Sequence, residues 1–417
     1  MRLTADSVLA AAWLTGILFT FNMLEDDSRL LGMLVALCWI APYAAVRLAR
    51  RLKPSFFIKT VDRPAIAFAV FLAACLPGSV YSSDSSLALG YLAATAAGGA
   101  TCSLVGLLLG PQLKRAFTLY AAIGTAGILW IFANYYTGGR FAVFRNANSV
   151  GLILLGPFAF SFLIKRRSLR VLLALTALAM IALTESRSAL LGSVACAAVM
   201  ALRAWRSWTQ LKRIAALAVL ATAGVLVIAN ASQAYTTVSV LMKLDDPWRG
   251  TMRPDGTIQS RIRVWGETVQ VWLDHPWVGV GYRTHEAHVI SESSSHNGYL
   301  AILAETGVLG SAALLLFLTT SVRRLRRQAL DGSDLAWVGL ALLAGYAVVA
   351  LFERYMINLG NPTSVAALIF LLKPHLENQT TLGLRRPRES RHLRFEARCY
   401  HASTANCPLP LRGNDTP

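Results

Sequence analysis

The apolar residues of this chain arrive in long uninterrupted runs, and that limits its fold more than any other feature. A helix rising about 1.5 Å per residue needs roughly 20 apolar residues to cross a ~30 Å hydrocarbon core. Bounded by charged and turn-forming breakers, twelve candidate spans lie near 7–24, 29–46, 64–82, 86–110, 116–135, 147–164, 171–185, 189–202, 214–230, 297–320, 335–352 and 363–373. The seventh, eighth and twelfth are short. Only 15% of the residues are charged and 55% are hydrophobic, against about 25% charged in a soluble chain, so there is too little polar surface to coat a globule. The first run leads into another span with no small-residue cleavage site, which argues against secretion. The expected fold is an all-α polytopic membrane protein of about twelve transmembrane helices.

The formal net charge of +18 is distributed by topology. Arg47, Arg50, Arg51, Lys53, Lys59 and Arg63 fall on one connection, Lys114 and Arg115 on another, and Lys165, Arg166, Arg167 and Arg170 on a third. Arg203, Arg206, Lys212 and Arg213, then Arg323, Arg324, Arg326 and Arg327, continue the series, while the alternate connections hold Glu25-Asp26-Asp27 and the polar turn 82–86. Positive charge marks the cytoplasmic side, so both termini are expected there. Nucleic acid is therefore not an expected partner, whereas membrane lipid is. On this plan residues 1–230 carry spans 1–9, and residues 231–296 form a large periplasmic loop between spans 9 and 10. Residues 297–373 carry spans 10–12, and 374–417 form a basic cytoplasmic tail expected to be disordered near anionic lipid. Of the six cysteines, Cys38, Cys75, Cys102 and Cys196 lie in apolar runs and Cys399 and Cys407 in the tail, with no CxxC spacing; neither a disulfide framework nor a zinc site is expected.

The long loop is where chemistry is expected, since long connections are uncommon unless functional. It contains His275, His285, His288 and His296, and also Arg249, Arg253, Arg261, Arg263 and Arg283, against the positive-inside bias. Ile258, Ile262, Trp265, Val269 and Trp272 are spaced as one apolar stripe of an amphipathic helix. That phase puts Arg261 at the stripe's edge and Arg263 in solvent; lying on the membrane against lipid phosphates is the plainer reading of both. Because serine favours the helix N-cap, His296, after Ser293-Ser294-Ser295, is expected in the first turn of a transmembrane helix. Two shorter outer turns matter as well. One holds Arg140 with Asn146 and Asn148; the other, Thr184-Glu185-Ser186-Arg187-Ser188, is so tight that Arg187 must sit at or below the interface, where an ionisable group is by default a functional-site candidate, a purely structural pair with Glu185 being the alternative.

Arg140 with Phe144-x-Asn146-x-Asn148, Ser186-Arg187-Ser188-Ala189, Ser260-Arg261-x-x-x-Trp265, His275-Pro276-x-x-Gly279-x-Gly281, His296-Asn297-x-Tyr299 and Glu305-x-Gly307-x-x-Gly310 follow in that order. Together they resemble the bacterial O-antigen ligase and O-antigen polymerase superfamily over roughly residues 130–320, with Ala147 where the family usually has proline. The resemblance implies a donor, an undecaprenyl diphosphate-linked glycan, and an acceptor: lipid A–core for a ligase, another glycan repeat for a polymerase. A single large outer loop resembles the ligases better. The resemblance and the chemistry together imply His296 as general base, Arg187 and Arg261 as the diphosphate clamp, and Arg140 in support. Asn146, Asn148, Ser186, Trp265, His275 and Tyr282 are secondary candidates, and no cofactor or metal is expected. Two rivals stand beside this reading. A metal-dependent glycosyltransferase would use Glu25-Asp26-Asp27 or Asp245-Asp246. A transporter or flippase would place its site near the bilayer midplane in two related halves.

Overall fold

The computed structural model describes residues 4–23, 38–50, 62–135, 147–211, 258–291, 294–354 and 356–373, with isolated positions at 35, 213, 214 and 222. Nearly all of the predicted ninth span, the first part of the second, the outer loop before residue 258 and the basic tail lie outside the described residues. All regular structure among the described residues is helical. In chain order it comprises α1 (Ala5–Met23), α2 (Ile40–Ala49), α3 (Arg63–Val80), α4 (Ser85–Leu109), α5 (Leu113–Tyr135) and α6 (Ala147–Ser161). There follow α7 (Arg167–Leu183), α8 (Arg187–Ser207), α9 (Ile258–Asp274), α10 (Gly298–Leu330), α11 (Asp334–Val349) and α12 (Pro362–Leu372). Of these, α3, α4, α5, α8 and α10 are long and apolar enough to cross a bilayer. The chain is a multi-pass membrane protein.

The helix starts follow from short polar side chains that accept from otherwise unpaired N–H groups. Asp62 accepts from Ala65, Asp84 from Leu87, Ser186 from Ala189, Ser333 from Ala336 and Asn361 from Thr363. Pro362 opens α12, where its missing N–H costs nothing. Helix pairs then close through small residues, because lipid supplies no hydrophobic force between helices. Between α8 and α11 the backbones touch at Gly192 and Gly345: a Cβ on Gly192 would stand 2.8 Å from the Gly345 carbonyl oxygen.

The antiparallel zigzag sorts the connections to two ends. At one end, here the basic end, Asp334 bridges Lys114 and Arg203, Asp62 binds Arg324, and Asp6 binds Arg47. At the other, Ser82 bonds Thr284 across 3.2 Å and Ser83 bonds His288 across 3.1 Å. Between them lies α12, every residue of it buried, packed among α1, α3, α4, α6, α10 and α11.

Candidate active site

The end opposite the basic clusters is organised by a break in α10. Gly307 adopts φ 60° and ψ −166°, so the helical ladder stops there. The interrupted backbone is completed by residues 276–281, which run alongside. The amides of Val280 and Gly281 donate to Ala304 O and Glu305 O at 3.0 Å each, and those of Val308 and Leu309 donate to Pro276 O and Trp277 O at 2.8 and 3.1 Å. Both chains are at van der Waals limit. A Cβ on Gly279 would overlap the backbone of Glu305 and Thr306, and one on Gly307 would overlap Trp277 and Val278. The G-x-G and E-x-G spacings thus mark one backbone crossing. The break turns the Glu305 carboxylate onto His285 Nδ1 at 2.6 Å, with His285 fully buried in a short 3-10 turn, His285–His288.

His296 is not in the first turn of α10, as its serine-rich prelude suggests. Asn297 is the cap, its Oδ1 accepting from the amides of Tyr299 (3.1 Å) and Leu300 (3.2 Å). An asparagine one residue further on satisfies two amides at once, so His296 stays outside the helix with φ 46°. The segment is docked on the end of α11, where Gly298 N donates to Ala350 O at 2.7 Å and Tyr299 Oη to Ala347 O at 3.0 Å. The turn after α11 then presents Glu353, only 3% exposed. Its Oε2 lies 4.0 Å from His296 Nδ1, and its Oε1 accepts from Ser188 Oγ at 3.5 Å.

Ser188 belongs to the tight turn predicted to matter. Ser186 caps α8 and its hydroxyl meets Ser188 Oγ at 3.3 Å; Arg187 between them is the first residue of α8 and is partly buried. Glu185 ahead of the cap has φ 56°. Among the described residues the non-glycine positions with positive φ are Glu185, Arg283 and His296, all at this end. A left-handed backbone costs a non-glycine residue of order 1–3 kcal/mol and collects at functional sites.

The amphipathic helix exists as α9, with its phase shifted from the predicted stripe. Val264, Thr268 and Val271 are buried, whereas Ile262 is 58% exposed. Thr268 can be buried because its hydroxyl donates to Val264 O at 2.7 Å, which an apolar count does not register. Arg261 lies on the partly buried side and Arg263 projects outward, its side chain 65% exposed and 3.4 Å from Glu267. Trp265 Nε1 donates to Ser295 O at 2.7 Å, and Glu267 accepts from Ser291 N at 3.1 Å. These bonds tie the Arg261 helix to the strand of chain that carries His296.

Other predicted residues fall elsewhere. Arg140 and Asn146 lie outside the described residues, as do the acidic groups 25–27 and 245–246; Asn148 is partly buried in the first turn of α6. Tyr282 is buried: its ring meets Phe71 edge-on at 6.2 Å, and Thr95 donates to its hydroxyl at 3.3 Å. His275 is exposed and its carbonyl closes the turn after α9, accepting from Gly279 N at 3.1 Å. His288 has its pKa pushed down from the ordinary histidine value by burial, and further by the neighbouring His275 and His285. No group of three or more metal-ligating side chains occurs among the described residues.

Sequence reasoning passed over Glu353, Arg354, Glu286 and the pairing of His285 with Glu305. Arg354 binds Glu286, and Arg283 lies over the Tyr91 ring, 4.7 Å from its centroid. With Tyr282, Ile302, Glu305 and Met356, Arg283 and Arg354 line a crevice. The overlooked signal was Glu353-Arg354, ionisable residues set inside an otherwise apolar stretch.

No curated protein matches the chain. A family model described as O-antigen ligase matches residues 172–318, an interval that takes in Arg187, Arg261, Trp265 and His296 and stops short of Glu353. From early in α7 to well past the break in α10, the chain is similar to the O-antigen ligase family.

Proposed function

We propose that the chain is a metal-independent, inverting glycosyltransferase of the bacterial inner membrane. It moves an O-antigen glycan from undecaprenyl diphosphate to lipid A–core on the periplasmic face. The observation that supports this most is the meeting of two separate motifs at one buried carboxylate, with Ser188 beside Arg187 on one side and His296 on the other. The α9 helix bearing Arg261 is bonded to the same His296 segment.

In the reaction, the acceptor sugar's hydroxyl oxygen forms a bond to the donor's anomeric carbon while its proton passes to the imidazole of His296. The bond from that carbon to the diphosphate oxygen breaks, and its electron pair leaves with the lipid diphosphate. Arg187 and Arg261, with Arg140 in support, neutralise the charge growing on that oxygen. Guanidinium suits the task because it stays charged and offers paired donors to phosphate oxygens. One displacement inverts the anomeric configuration.

The test uses purified protein in vesicles with lipid-linked donor and acceptor both outside. His296→Ala is expected to abolish transfer; product at the wild-type rate would remove His296 as base. Activity lost on exhaustive chelation and restored by magnesium or manganese would replace the arginine clamp with a metal. Deleting the gene separates the acceptors. Loss of all long lipopolysaccharide chains with accumulating lipid-linked glycan indicates ligation to core, and cores capped by one repeat indicate polymerisation.

A further inference from the structure

We infer that Glu353 is a positioning residue for the transfer, holding the His296 ring through Nδ1 so that Nε2 is presented to the acceptor hydroxyl. The inference rests on the reading of His296 as base and deepens it, because Glu353 lies beyond the matched family interval.

A carboxylate taken out of water is costly unless it is paired or hydrogen-bonded. Glu353 is 3% exposed, and the side chains that meet its carboxylate among the described residues are Ser188 and His296. Its neighbour Arg354 is committed to Glu286. The charges carried by the elements that converge here are Glu185 and Arg187 before and at the start of α8, and Glu353 and Arg354 after α11. His296 is the titratable group among them whose ring can share a proton with Glu353.

The geometry around the carboxylate is fixed on both sides. Glu353 N donates to Val349 O at 3.0 Å, and Gly298 packs so closely that a Cβ there would stand 3.2 Å from Glu353 O and 3.3 Å from Met356 N. His296 is held left-handed at φ 46° immediately before the Asn297 cap. Oε2 stands at ion-pair distance from Nδ1, 4.0 Å, and the side chain's exposure of 40% leaves the ring accessible to a substrate. A carboxylate on one ring nitrogen decides which nitrogen carries the proton. A residue that only stabilised the fold would not need the histidine's ring edge, and that difference is measurable.

The experiment measures kcat and KM for lipid-linked donor in vesicles with the wild type, Glu353→Ala, Glu353→Gln and His296→Ala. Glu353→Ala is expected to lower kcat on the order of 10- to 100-fold, with the donor KM within about twofold of the wild type. Glu353→Gln retains an acceptor oxygen and is expected to recover part of that loss. Adding Glu353→Ala to His296→Ala should lower the residual rate no further, since the two act as a unit. Wild-type kcat in Glu353→Ala, a change confined to KM, or additive losses in the double variant would overturn the inference. If Glu353→Ala does not accumulate in the membrane, Glu353→Gln carries the test, and a wild-type kcat there overturns it. The outcomes separate the two ideas. An active His296→Ala removes the base, whereas an inactive His296→Ala with wild-type Glu353 variants removes only the positioning role.

Discussion

At the basic end, Asp334 is clamped by Lys114 and Arg203, and Asp62 by Arg324, which also donates to the last carbonyls of α12. At the opposite end, the buried carboxylates of Glu305 and Glu353 face His285 and His296. Arginine and lysine stay charged near neutral pH, so the first kind of pair is closed and serves only to hold helix ends together. A histidine ring can accept a hydrogen bond as well as donate one, so the second kind of pair leaves a ring nitrogen for another partner. The same bundle therefore pairs carboxylates with permanent cations at one end and with imidazoles at the other. The backbone differs likewise, with left-handed non-glycine residues gathered at the histidine end.

That contrast can be broken in several ways. Gly307→Val should yield little folded protein by size-exclusion chromatography, since a β-branched residue at φ 60° would also drive its Cβ into Trp277. Gly332→Ala at the basic end is the control. It has positive φ but open space around it, so it should cost only about 1–2 kcal/mol. Next, Arg187→Ala and Arg261→Ala should each lower kcat by roughly 10²–10³ with normal yield, and lysine should not restore it, because it lacks the planar fork.

Arg324→Ala should do the reverse. It strands Asp62, lowering thermal stability by somewhat less than the ~3–5 kcal/mol of a fully buried pair, with activity per folded molecule unchanged. If Arg324→Ala abolishes transfer in stable protein, the division of labour between the ends is wrong. A smaller effect concerns pH. Because the folded pKa of His288 is lowered, the unfolded chain takes up the proton first as pH falls through about 6.5. Stability is thus full above that value and declines below it, and His288→Gln should flatten the fall in Tm between pH 7.5 and 5.5. The smallest change is expected for Arg263→Ala, with a rate within about twofold of the wild type, as for an exposed surface position. A loss equal to that of Arg261→Ala would mean that α9 turns its other face to the substrate.

Much of the scaffold was legible because the bilayer imposes two simple signals, apolar length and charge alternation. They located most of the described helices within a few residues, but stopped α10 at residue 320, ten residues short of its end at Leu330, and began the second span at residue 29, whereas α2 starts at Ile40. They shortened α7 and α8 because Arg167 and Arg203 were taken as loop, although arginine stems run along a helix while the head reaches the interface. The order of motifs drew Arg187, Arg261 and His296 to one region. It could not reveal Glu353, which sits among Leu351, Phe352, Met356 and Ile357 and gains its meaning from Ser188, far earlier in the chain. Nor could it show that Gly279 and Gly307 answer one another, since a backbone crossing has no sequence periodicity.

The buried helix α12 carries a consequence for how the chain is built. Its 11 residues rise only about 16 Å at 1.5 Å each, roughly half of a ~30 Å hydrocarbon layer. Left alone in lipid, it would strand the backbone groups of the preceding turn, which the bilayer does not tolerate. It can be stable only inside walls already raised by the helices around it. Synthesis delivers it after all of them, so it is expected to enter, like a plug, a socket that the earlier helices line.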